Sequence, residues 1–115
     1  MIFRAIIIIA IALILHACAT NPTTTYTPSQ LRTMIQNGDF PKQGSQTTQT
    51  EIIGYRDCLA KVAGIIAAIG SNYPTRTILN TNTARMEKIW TNDGALTVTC
   101  SAPDNKLVIT NALYL

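Results

Sequence analysis

The sequence predicts an α+β fold, with one helix packed on a small antiparallel meander of three or four strands, preceded by a signal peptide and a flexible tether. Three observations predict it. Apolar residues are unevenly spread, with 15 of 17 in Met1–Ala17, 6 of 32 in Ala19–Thr50 and 32 of 65 in Glu51–Leu115. In the last of these stretches the apolar period changes at Pro74 from helical to strand-like. Beyond Pro74, turn signals recur at short intervals. At 115 residues the chain suffices for one small domain, and the segments divide at 1–17, 18–50 and 51–115.

Met1 to Arg4 supplies one positive charge and Ala5 to Leu15 eleven consecutive apolar residues, the layout of a secretory signal. Such a run falls short of the roughly 20 residues needed to cross the hydrocarbon as a helix, so cleavage is expected rather than a permanent span. Leu15-His16-Ala17-Cys18 closes the run and resembles the lipobox of bacterial lipoproteins, with His16 where that class usually has a small or hydroxyl residue. The resemblance implies cleavage before Cys18, a diacylglycerol on its thiol and an acylated amine, so that the protein is held to a membrane through Cys18. The mature chain then has 98 residues, 39 of them apolar. One acyl chain anchors only marginally, whereas two or three anchor stably. Ala19 follows the cysteine where an aspartate would signal inner-membrane retention, which implies the periplasmic face of the outer membrane.

From Ala19 to Gln30 the chain holds two prolines and five threonines and almost nothing to bury, so it is predicted to be extended or disordered. Ser29 can cap a short helix whose Leu31, Met34 and Ile35 share one face, and Gly38 can end it. Two turns are marginal alone, so this helix either packs on the domain or docks on a partner. Lys42 to Thr50, rich in Gln, Thr, Gly and Ser, reads as a second linker.

Thr50 or Glu51 then opens a helix to Ile69 with Cys58, Leu59, Val62, Ile65, Ile66 and Ile69 on its apolar stripe, and Gly70 stops it. Strands are expected at 75–80, 84–91, 96–101 and 107–114. Asn80-Thr81-Asn82, Asn92-Asp93-Gly94 and Pro103-Asp104-Asn105 supply the turns between them. Leu96, Val98 and Cys100 share a strand face, as do Leu107, Ile109, Leu113 and Leu115, which predicts a sheet with one buried face.

His16 is the single histidine and lies in the segment to be removed, so the mature chain has no imidazole. That excludes Ser-His-Asp and Cys-His nucleophilic sites and histidine zinc sites. Cys58 and Cys100 form an even pair in an oxidising compartment. One lies on the helix stripe and the other on an apolar strand face, so a disulfide is expected to staple helix to sheet. The carboxylates Asp39, Glu51, Asp57, Glu87, Asp93 and Asp104 are too dispersed for a paired acid site or a calcium loop. No glycine pattern suits a phosphate, so neither cofactor nor metal is expected, nor an enzyme.

Surfaces remain. Trp90, the only tryptophan, is either core or an exposed anchor beside Tyr73 or Tyr114. Arg76, Arg85, Lys88 and Lys106 are expected to form a basic patch on the outer face of the sheet, either solvated or facing an acidic partner; a periplasmic location makes nucleic acid an unsuitable one. Leu31, Met34 and Ile35 complete the candidate partner-binding residues. A helix on a small sheet with an acyl anchor resembles the accessory lipoproteins of the outer-membrane β-barrel assembly machine and the small lipoproteins of secretion systems. The resemblance covers architecture and anchor, and no functional residue is carried over from it. The expectation is a non-catalytic envelope lipoprotein that binds an envelope protein as an accessory in an assembly, secretion or exclusion system. A periplasmic inhibitor or ligand-binding module is the alternative.

Overall fold

The computed structural model describes residues 24–115; the signal peptide, Cys18 and the first residues of the expected tether lie outside them. The elements are α1 (Pro28–Gln36), β1 (Gln43–Ile52), α2 (Tyr55–Ile69), β2 (Thr75–Asn80), β3 (Ala84–Trp90), β4 (Gly94–Ser101) and β5 (Lys106–Tyr114). All strand pairs are antiparallel and the sheet order is β1-β5-β4-β3-β2. Strands β2 to β5 form the expected meander. The chain reaches it from β1 at the opposite edge, and α2 carries it back across one face of the sheet.

The α+β class therefore holds, but with two helices and five strands. Lys42 to Thr50 is not a linker, because its residues from Gln43 onward form β1, which pairs with β5 from Gln43↔Tyr114 to Ile52↔Lys106. Glu51 and Ile52 belong to this strand rather than to the helix, so α2 begins only at Tyr55, with Gly54 as an N-cap that offers no side chain. Lys61 ion-pairs with Glu51 of β1, not with Asp57 one turn earlier on its own helix. The first helix also begins earlier than expected. Thr27, not Ser29, is its N-cap, in a capping box with Gln30. Its end is as expected: Gly38 takes φ +72°, a left-handed conformation open to glycine at little strain.

Both faces of the sheet carry a core, where one buried face was expected. On the α2 face, Cys58 and Val62 of the helix pack with Val98, Cys100 and Leu107. On the opposite face, Leu31 and Ile35 of α1 pack with Trp90, Ala95 and Tyr114, flanked by Tyr26 and Tyr73. Strand alternation explains the division, since Ala95 points away from Leu96, Val98 and Cys100. Full burial of a Leu or Ile contributes about 1.5–3 kcal/mol, which suffices to hold a nine-residue helix that is marginal alone. The segment leading into α1 is tied down as well, as Tyr26 donates its backbone N–H to the Asn92 carbonyl at 2.8 Å. Gly94, at the turn between β3 and β4, lies so close to β5 that a Cβ would come within 2.7 Å of the Ala112 carbonyl oxygen. Among the described residues no helix is long and apolar enough to cross a membrane.

Candidate functional site

The sequence-predicted residues separate into three groups. Cys58 and Cys100 form a disulfide between α2 and β4, with Cα atoms 5.9 Å apart and both residues fully buried. Leu31 and Ile35 are buried against the sheet, whereas Met34, half-buried, lines a groove of about 390 Å³ with Tyr26, Ser29, Gln30 and Thr33. The remaining five, Trp90, Arg76, Lys88, Arg85 and Lys106, divide between the two faces of the sheet.

Trp90 ends β3 and is 2% exposed, so its ring is core. Phe40, from the connection between α1 and β1, stacks on it at 5.7 Å with the planes 21° apart. Arg76 and Lys88 stand directly opposite each other on β2 and β3. The Lys88 ammonium lies 5.3 Å from the centre of the Trp90 ring, and the Arg76 guanidinium lies 5.5 Å from Phe40 and 6.0 Å from Trp90. Like charges across a strand pair are unfavourable, but the negative faces of the rings offset this at about 0.5–1 kcal/mol per cation–π contact. Burial pulls the pKa of Lys88 down. The result is a cationic surface backed by aromatic rings, where Arg76 and Lys88 make no ion pair among the described residues. Chemically it can hold an anionic group.

Arg85 is not part of this patch. Strand alternation turns it to the α2 face, where its Nε donates to Glu87 Oε1 at 3.0 Å, and the Thr77 hydroxyl donates to the same carboxylate at 2.8 and 2.9 Å. Glu87 is only 3% exposed, and a buried carboxylate needs such partners. Lys106, also on the cationic face by alternation, stands at the opposite end of the sheet, in register with Ser101 and Ile52. Sequence reasoning missed Phe40, which lies in a loop without periodicity. It also missed Tyr26, which packs edge to face at 5.3 Å against Tyr114 beneath α1; Tyr114 lies with Trp90, but in the buried cluster rather than at an exposed anchor.

Tyr114 donates its hydroxyl to the Thr91 carbonyl at 2.8 Å. Burial above all, then the Asp93 carboxylate and the neighbouring Tyr26 and Tyr73, raise its pKa above the phenol's ordinary 10. Unfolded, Tyr114 ionises near pH 10 while the folded form stays neutral, so the stability it confers is whole below about pH 10 and lost as pH rises above it. Lys88 acts with the opposite sign, its lowered folded pKa making folding more favourable as pH rises toward 10.5. Comparing wild type with Tyr114→Phe cancels Lys88. In urea unfolding between about pH 9 and 11, the wild type is expected to lose stability more steeply than the variant. Equal slopes would remove Tyr114 as the source.

Outside these groups, Thr47, Gln49, Leu96, Ile109 and Asn111 line a second recess of about 320 Å³ on the α2 face. Among the described residues no group of three or more His, Cys, Asp or Glu side chains is arranged to hold a metal ion. No protein-family model matches the chain, and no curated protein matches it.

Proposed function

We propose that this chain is a lipid-anchored envelope protein, held to the membrane through an acylated Cys18, whose folded part binds another protein as an accessory of an assembly, secretion or exclusion system. The observation that carries the binding role is the cationic surface of Arg76 and Lys88 over Phe40 and Trp90, charged groups held in place by rings rather than by counter-ions. It suits an acidic patch on a partner. The Cys58–Cys100 disulfide supports an oxidising compartment, since such bonds persist in the periplasm and seldom in the cytosol. The groove beside α1, walled by Tyr26 and Met34, favours a second reading, a module that takes a small ligand or inhibits a neighbouring enzyme.

Two variants test the proposal in cells. Cys18→Ser is expected to move the protein from the membrane fraction to the soluble periplasmic fraction, and continued membrane retention would overturn the anchor. Crosslinking and mass spectrometry on membranes are expected to recover one stoichiometric partner from the wild type and to lose it in Arg76→Glu. A partner crosslinked equally well by Arg76→Glu would remove the cationic surface from the proposal. No partner at all would count against an accessory role.

A further inference from the structure

Resting on the anchor at Cys18, we infer that the end of the sheet carrying Leu113 and Leu115 is the surface that faces the lipid bilayer. The length of chain outside the structure carries the argument. Only residues 19–23 separate Cys18 from Thr24, the first described residue, and at full extension that step spans about 20 Å. A ten-residue strand such as β1 is about 33 Å long. The domain therefore cannot stand on its far end, at the turns around Thr83 and Asp104, because Thr24 would then lie beyond the reach of the acylated residue.

The near end has the chemistry this placement requires. Thr24 donates its hydroxyl to the Leu115 carbonyl at 2.5 Å, and Leu115 donates its N–H to the Lys42 carbonyl at 2.9 Å, so the incoming chain, the start of β1 and the end of β5 meet there. Leu113 and Leu115 are 45% and 69% exposed at this point. Leucine side chains partition into the headgroup–acyl boundary, while the exposed Lys42 at the same end meets anionic headgroups. The occupant is thus a bilayer interface containing anionic lipid.

Depth-dependent quenching tests this on the full-length protein, expressed with its signal and reconstituted into vesicles of phosphatidylethanolamine and phosphatidylglycerol. Leu113→Cys and Asn82→Cys, at opposite ends of the sheet, are each labelled with an environment-sensitive fluorophore. Cys58 and Cys100 are tied in the disulfide, and Cys18 is blocked when acylated. Nitroxide lipids are expected to quench the probe at position 113 several-fold more strongly than the probe at position 82. Equal or reversed quenching on a protein whose mass shows acylated Cys18 overturns the surface and leaves the anchor standing, including the case in which a second protein covers Leu113. An unacylated mass overturns the anchor itself.

Discussion

Removing the Cys58–Cys100 bridge is expected to destabilise the domain by about 4 kcal/mol, the chain-entropy value for a loop of this length, the two cysteines being 42 residues apart in sequence. For a domain of this size that corresponds to a fall in melting temperature of roughly 15–30 °C. The structure gives a reason to expect the upper part of that range. Of the fifteen residues of α2 only Cys58 and Val62 are buried, and the outward positions Ala60, Ala63, Gly64, Ala67 and Ala68 are exposed. The bridge is thus one of two deep attachments between helix and sheet, and it lies one turn from the helix start, next to the N-cap without a side chain. Thermal unfolding of Cys58→Ala/Cys100→Ala, beside the wild type with and without reductant, measures the effect. A melting transition that reductant leaves in place would show that the domain does not depend on the bridge.

Trp90→Ala is expected to cost about 3–5 kcal/mol, the range for deleting a large buried aromatic. Its loss removes the surface on which Phe40 stacks and the ring face beneath Lys88, and it opens a cavity under α1, whose Leu31 and Ile35 pack in the same cluster. Trp90→Phe is expected to behave differently. The indole Nε1 is buried with no hydrogen-bond acceptor among the described residues, and an unsatisfied buried donor costs about 1–3 kcal/mol. Phenylalanine removes that penalty while sacrificing part of the ring, so the variant should unfold within about 1.5 kcal/mol of wild type. Denaturant melts of the two variants separate the contributions. A Trp90→Phe loss as large as that of Trp90→Ala would mean that the indole nitrogen is satisfied and contributes to stability.

The parts of the fold that bury something were legible in the sequence. Helix α2 follows from the apolar stripe through Cys58, Val62 and Ile66, and the meander follows from alternation in β4 and from turns such as Asn92-Asp93-Gly94, where Thr91 donates its N–H to the Gly94 carbonyl at 2.9 Å. β1 was illegible because an edge strand exposed along nearly its whole length has no apolar alternation to display. Its Gln and Thr side chains read as a linker, and only pairing with β5 makes the strand. Mistaking β1 then extended the predicted helix backwards through Glu51 and Ile52, which a helical period accommodates equally well. Of the site, the opposition of Arg76 and Lys88 depends on the register of β2 against β3, and that strand pair contains a shift between Thr77 and Leu79. The separation of Arg85 needs no register, because it stands three residues from Lys88 on β3 and the pleat alone turns it to the opposite face, beside Glu87.

The pairing of β1 with β5 also dictates an order of events. Strands β2 to β5 join through short turns and can assemble from neighbouring residues, but β1 finds its hydrogen-bonding partner only in the strand farthest from it along the chain, as Gln43 meets Tyr114. Contacts between such distant residues close slowly, because the loop between them must be ordered first. A chain emerging from its N-terminus therefore keeps Gln43–Ile52 unpaired until Lys106–Tyr114 has followed it. The segment stays threadable for as long as the last strand is missing. Its glutamine- and threonine-rich composition, which concealed it as a strand, also keeps the waiting edge polar and hydrated.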